Sequence, residues 1–165
     1  MAHNKKQLIF SLLCVIVIMI IIYNFSAQNG IDSSGISKKI SRLICRVIFF
    51  NYENMSGEQQ MFVVNELHYF IRKLAHFSIY MLLGMFSYMA LIPFKQELKK
   101  PAVISLAVCA VYAVFDEIHQ RFIPGRSMRV TDMVLDTFGA FIGIVIVAVI
   151  VIVFGHIREG LKRGK

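Results

Sequence analysis

Four long apolar stretches decide what this chain can fold into. The first runs from Leu8 to Phe25, with Ser11 and Asn24 as its main polar members, and the second from Leu74 to Pro93. The third starts at Ala102 and is apolar or small-polar as far as Phe115; the fourth runs from Met133 to Phe154. A helix of about 20 residues crosses the roughly 30 Å hydrocarbon layer. Each stretch is too apolar around its circumference to face water. The expected fold is therefore all-α, with transmembrane helices over about 8–25, 74–93, 102–118 and 133–154 in a single membrane domain covering 1–165. The first stretch could instead be a cleaved signal peptide, since Lys5 and Lys6 precede it and Ala27 follows. Its apolar run exceeds the usual signal core of about 7–15 residues, which favours a retained span.

Composition agrees with a membrane chain. Of 165 residues, 57% are apolar and 17% charged, and mean hydropathy is +0.65. Soluble chains are nearer half apolar and about a quarter charged. A net charge of +8 on so apolar a chain places Lys and Arg at membrane surfaces, and nucleic acid is not an expected partner. Cys14 and Cys109 lie in apolar runs and Cys45 in a basic stretch, so the three cysteines form neither a disulfide framework nor a metal motif.

The third stretch is short. Ala102 to Phe115 makes about 21 Å of helix. It spans only if Asp116, Glu117 and Ile118 are partly submerged or the bilayer thins. Two adjacent carboxylates at that depth require partners.

Four spans put both termini on one side. Lys and Arg then divide nine to nine between the two sides. The positive-inside rule weights residues close to the spans and the first helix most heavily. Lys5 and Lys6, the Lys95, Lys99 and Lys100 loop, and the basic tail from Arg158 to Lys165 point to cytoplasmic termini. The connection over 26–73 is long enough to need structure of its own. Ile36, Ile40, Leu43, Ile44, Val47 and Ile48 recur at helical spacing, opposite Lys38, Lys39, Ser41, Arg42 and Arg46. That pattern over 36–50 predicts an amphipathic helix in the lipid interface, or one packed on the spans. Ser56 followed by Gln59 is a capping box. It starts a helix that runs through Val63, Leu67 and Phe70 into the second span.

The polar residues cluster at span ends. Span two opens on Arg72, Lys73, His76 and Tyr80; span three closes on Asp116, Glu117, His119 and Gln120. Arg121, Pro124-Gly125 and Arg126 follow, and span four opens with Thr131, Asp132 and Asp136. Antiparallel threading brings the start of span two, the end of span three and the start of span four to one leaflet. Arg72, His76 and Tyr80 stack at i, i+4 and i+8, and Asp116, His119 and Gln120 can share a face. Gly139 and Gly143 continue the Asp132–Asp136 stripe as a small-residue packing face. Pro124-Gly125 fits a tight turn that holds Arg121 and Arg126 over the cluster. Each residue also has a plainer role. Thr131 reads as a helix cap, His76 as an interior hydrogen-bonded histidine, Asp136 as a partner of Arg72 or Arg126, and Arg121 and Arg129 as headgroup contacts. Their convergence favours a functional site, because ionisable groups inside a membrane are costly.

These residues resemble the VanZ-like family of membrane proteins. The resemblance rests on Phe25-Ser26-Ala27-Gln28, on Arg72-Lys73-x-Ala75-His76-Phe77-x-x-Tyr80-x-x-x-Gly84, on Asp116-Glu117-x-His119-Gln120-x-Phe122-x-Pro124-Gly125-Arg126 and on Asp132-x-x-x-Asp136-x-x-Gly139-x-x-x-Gly143. Order and spacing match across about residues 20–145, only loosely over 36–70, and Ala27 stands where the family usually has a second Ser. The resemblance implies a small polytopic membrane protein of the bacterial cell envelope. The family is named for a protein conferring low-level resistance to teicoplanin, a lipid-tailed glycopeptide.

Three mechanisms follow. In the first, the protein binds a phospholipid headgroup or lipid-linked cell-wall precursor at the outer leaflet of the bilayer. Arg72, Lys73, Arg121 and Arg126 hold phosphate, Tyr80, Gln120 and Asp132 complete the binding set, and Asp116, Glu117 and Asp136 orient the arginines. The second is a hydrolase or transferase on a phosphorylated or acylated lipid, with His76 or His119 as base or nucleophile and Asp116, Glu117 or Asp136 in support. In that reading Asp116, Asp132 and Asp136 could alternatively hold a divalent cation through oxygen. The residues name no cofactor, no metal-ligand motif and no established catalytic signature. The third is a proton relay through Asp136 and His76, which four spans without an inverted repeat make less favourable.

Overall fold

Polar punctuation between the apolar runs sets where each helix begins and ends. The structure, a computed structural model, describes residues 2–28, 33–92 and 98–163, without the side chains of 2–4, 33–38, 158–160, 162 and 163. The elements are α1 (Ala2–Ala27), α2 (Ser33–Ile48), a 3-10 turn (Tyr52–Asn54), α3 (Gly57–Leu91), α4 (Lys99–Gln120) and α5 (Val130–Arg163). The described residues contain no strand. α1, α3, α4 and α5 are long and apolar enough to cross a membrane. Pro93 and Lys95, the side chains of Ile36, Lys38, Arg158, Lys162 and Arg163, and Lys165 lie outside the described residues.

The helix starts follow local chemistry. At Ser56 the capping box forms as expected: its Oγ accepts the Gln59 N–H at 3.3 Å, and its own N–H donates to Gln59 Oε1 at 3.0 Å. Two otherwise orphaned donors are thereby satisfied. With 35 residues, α3 is about 52 Å long, so its N-terminal part extends beyond a roughly 30 Å hydrocarbon layer. The short third stretch is lengthened at both ends. Pro101 sits inside the first turn of α4, where its missing N–H has no helical partner to lose. The 22 residues of α4 reach about 33 Å by including Asp116 and Glu117. α5 begins at Val130, so Thr131 lies within the helix and is not its cap. The Thr131 hydroxyl faces Asp132 Oδ1 at 3.4 Å.

α2 combines both roles open to it. Ser41 and Cys45, one turn apart at the edge of its apolar stripe, are buried, and Cys45 packs with Tyr52 and Val64. Ile40, Leu43, Val47 and Ile48 are left 48–78% exposed. The helix is thus held to α3 along one edge while its apolar row stays uncovered, as an interfacial helix requires.

The bundle core draws on all four long helices: Ile18 and Ile22 of α1, Tyr80 and Leu83 of α3, Cys109 and Ala113 of α4, and Ala140 of α5. The Tyr112 hydroxyl donates to Met19 O at 2.7 Å and ties α4 to α1. Between α3 and α5 the contact is backbone on backbone. A Cβ on Gly84 would strike the Ala140 backbone, one on Gly143 the Met81 carbonyl, and one on Gly139 the Phe77 carbonyl at 2.5 Å. Such small-residue faces are how helices associate where lipid removes the hydrophobic drive. Outward, Phe10, Val103, Phe115, Val134 and Phe154 are among many large apolar side chains more than half exposed, a surface suited to lipid.

Gly84→Ala is accordingly expected to lower stability by about 1–3 kcal/mol through overpacking. Gly155→Ala, with open space around its Cβ position, should be neutral or stabilising because alanine favours helix by about 1 kcal/mol. Thermal unfolding in detergent micelles separates the two. Equal midpoints for both variants would contradict the close approach.

Candidate functional site

Helical spacing places Tyr69, Arg72, Lys73 and His76 along one side of α3. Facing them are Asp132 and Asp136 of α5, Glu117 and Gln120 at the end of α4, and the loop residues Gly125, Arg126, Ser127 and Arg129. With Leu135 they line a cleft of about 140 Å³, room for a small polar headgroup. It forms where span two begins, span three ends and span four begins, the convergence expected from threading.

The mouth of the cleft is organised around Tyr69. The Lys73 ammonium lies 4.7 Å from the Tyr69 ring centroid and the Arg129 guanidinium 5.6 Å from it. Arg129 Nη1 donates to the Tyr69 hydroxyl at 3.0 Å. Lys73 Nζ also pairs with Asp132 Oδ1 at 2.7 Å, with both side chains about a quarter exposed. The buried Glu117 carboxylate accepts the backbone N–H of Arg129 at 2.8 Å. That contact sets a negative charge at the start of α5, where helix-end N–H groups favour it.

The 121–129 loop is turned by Pro124-Gly125. Gly125 has φ 76, and the Arg126 N–H donates back to Ile123 O at 3.1 Å, as a type II turn with proline and then glycine requires. The turn directs Arg126 to the C-terminal end of α1. Its Nε donates to Gln28 O at 2.9 Å and its Nη2 to Phe25 O at 2.6 Å, capping carbonyls at that end. Its Nη1 is buried with no partner among the described residues. Burial, and after it the like charge of Arg72, pull this guanidinium down to about 10, so it remains a cation at neutral pH. Arg72 lines the same cleft, and among the described residues no hydrogen bond or ion pair engages it.

Beneath the mouth lies a drier layer. Asp136 is 1% exposed, and both its carboxylate oxygens lack a hydrogen-bond partner among the described residues. His76 Nδ1 stands 3.7 Å from Asp136 Oδ2, longer than a hydrogen bond. Asp116 is buried, and its Oδ2 accepts from Gln120 Nε2 at 3.1 Å. The same Gln120 nitrogen reaches Ser26 Oγ at 3.3 Å. One ligand-type atom from each of His76, Asp116 and Asp136 lies within 4.8 Å of the other two. Tyr80 is fully buried, its hydroxyl without a partner among the described residues.

The structure gathers most of the sequence-selected residues. Arg72, Lys73, His76, Glu117, Gln120, Arg126, Asp132 and Asp136 line the cleft, while Asp116 and Tyr80 do not. Two others are elsewhere. His119 stacks on Tyr23 of α1 with ring centroids 4.7 Å apart, and Arg121 is exposed. At roughly 100° per residue, position 119 falls on the far side of Asp116 from Glu117 and Gln120, so its ring turns toward α1. Neither Arg72 nor Arg126 pairs with Asp136 among the described residues. Asp132 is committed to Lys73, which removes it from an Asp116–Asp132–Asp136 cation set. Tyr69, and Arg129 beyond its expected headgroup contact, also line the cleft; the i, i+4 spacing of Tyr69 and Lys73 is the sequence signal for the tyrosine.

A model of the VanZ/LLP1 family matches residues 8–152. Neither the curated proteins nor the solved structures contain a significant match. The matched region runs from the first span through the cleft and nearly to the end of the fourth span. With four spanning helices and a family match over most of its length, the chain is a multi-pass membrane protein and belongs to the VanZ/LLP1 family.

Proposed function

We propose that the cleft binds the phosphate of a lipid headgroup or lipid-linked cell-wall intermediate at the outer leaflet of a bacterial cytoplasmic membrane, with both termini in the cytoplasm. One observation carries this reading: uncommitted positive charge. Arg72 engages no described residue, and Arg126 keeps Nη1 buried and unpartnered within reach of Arg72's charge. Two guanidiniums that repel each other in a half-buried cleft are stabilised by an anion between them, and phosphate accepts bidentate bonds from both. Lys73 and Arg129, held on Tyr69 and Asp132, form a fixed rim. Occupying such lipids would change what a lipid-tailed glycopeptide meets at the outer leaflet, which is how reduced teicoplanin susceptibility would arise.

The near approach of His76 to a buried Asp136 favours a second reading, a hydrolase or transferase in which the aspartate orients the histidine as base. His76→Ala separates the two readings. Under the binding role it keeps headgroup affinity and no lipid turnover is measured in either protein. Under the enzymatic role, turnover of a phosphorylated lipid is present in the parent protein and lost in the variant.

Arg72→Ala is expected to weaken binding of a short-chain phosphatidic acid by about tenfold to a hundredfold, the equivalent of losing charge-assisted bonds worth about 1.5–3 kcal/mol. Arg121→Ala, outside the cleft, should leave affinity unchanged. Equal affinities for Arg72→Ala and the parent would sink the proposal. Arg126→Ala is less diagnostic, because it also uncaps α1. For orientation, an impermeant maleimide should label Ser127→Cys in intact cells. Labelling only after the membrane is opened would reverse the topology.

A further inference from the structure

We propose that His76, Asp116 and Asp136 form a binding site for a divalent transition-metal ion below the headgroup cleft, clamping α3, α4 and α5 together. The inference does not depend on what binds in the cleft. It starts from charge. Asp116 and Asp136 are 5% and 1% exposed, and ligand-type oxygens of the two lie within 4.8 Å of each other. Two carboxylates this close and out of water need a neutralising charge. Of the cations nearby, Lys73 is directed to Asp132, Arg126 to the α1 carbonyls and Arg129 to Tyr69, and Arg72 lines the cleft without pairing with either carboxylate. Among the described residues, no Lys or Arg pairs with either carboxylate.

Independent of charge, the Asp136 side chain points to a missing partner. Among the described residues both its oxygens are buried without a hydrogen bond, and Oδ2 has only the 3.7 Å approach of His76, which costs free energy unless something else coordinates them. The donors also suit a metal. One imidazole nitrogen and two carboxylate oxygens form the mixed set that zinc and manganese accept, whereas calcium and magnesium prefer oxygen alone. Zinc ligands sit about 2.0–2.2 Å from the ion, so the three atoms would need to draw in by about 1 Å, within the reach of side-chain rotation. Gln120, bonded to both Asp116 and Ser26, supplies the outer contact that holds a ligating carboxylate in place. The fold-spanning placement of the three ligands predicts that metal stabilises the whole bundle.

The test uses tag-free full-length protein in detergent, stripped with chelator and titrated with zinc chloride or manganese chloride. The parent should retain about one metal per chain after desalting, measured by elemental analysis, and its thermal midpoint should rise by several degrees. Asp136→Asn and His76→Ala should each weaken binding at least tenfold and lose the midpoint rise. Asp132→Asn, changed at the carboxylate committed to Lys73, should keep both. Folding of each variant is checked by circular dichroism; if Asp136→Asn does not fold, His76→Ala, at the partly exposed edge of the site, carries the comparison. Absence of stoichiometric metal in the parent would overturn the site, because a proton on a carboxyl group or on His76 must then do the neutralising. Equal metal retention in the parent and the folded variants would also overturn it, marking the ion as adventitious. The readout is metal content and midpoint, so its failure leaves headgroup binding by Arg72 separately measurable.

Discussion

The backbone contact between α3 and α5 is the constraint on which the site depends. Gly139 against Phe77 and Gly143 against Met81 let two helix axes approach more closely than side chains allow. Within two turns of these contacts, toward the cleft, Lys73 meets Asp132 and His76 approaches Asp136. A wider spacing would leave the short aspartate side chains out of reach of these partners. In lipid, where apolar burial does not by itself favour helix association, this close packing is the main means of holding costly polar groups in register.

A second constraint is satisfaction of those groups in a medium that offers them nothing. Glu117 is answered by a backbone N–H, Asp132 by Lys73, and Asp116 by Gln120. The end of α1 is part of the same arrangement, since Arg126 takes its carbonyls and Gln120 reaches Ser26. The Phe25–Gln28 segment therefore serves as the seat on which the loop and α4 rest. Against this background three ionisable groups at the site stand out among the described residues: Arg72, one nitrogen of Arg126, and both oxygens of Asp136. The first two are guanidinium groups toward the mouth, while the last is a carboxyl group set deeper. The cleft is thus polarised between a position suited to an anion and one suited to a cation.

The chain by itself determined the all-helical class, the four spans, the amphipathic helix, the capping box and the convergence of the polar residues at one end of the bundle. Those follow from periodicity, run length and threading, which are properties of order along the chain. Where helix starts differed, at Pro101 and Thr131, the reason was local: a first turn tolerates proline and does not require a threonine cap. Only the tertiary structure decided which polar residues share the cleft. His119 turned to Tyr23 and Asp132 to Lys73, while Tyr69 and Arg129 joined the rim. Spacing fixes a residue's angle around its own helix, but which neighbour occupies that angle depends on how helices distant in sequence are rotated and packed against one another.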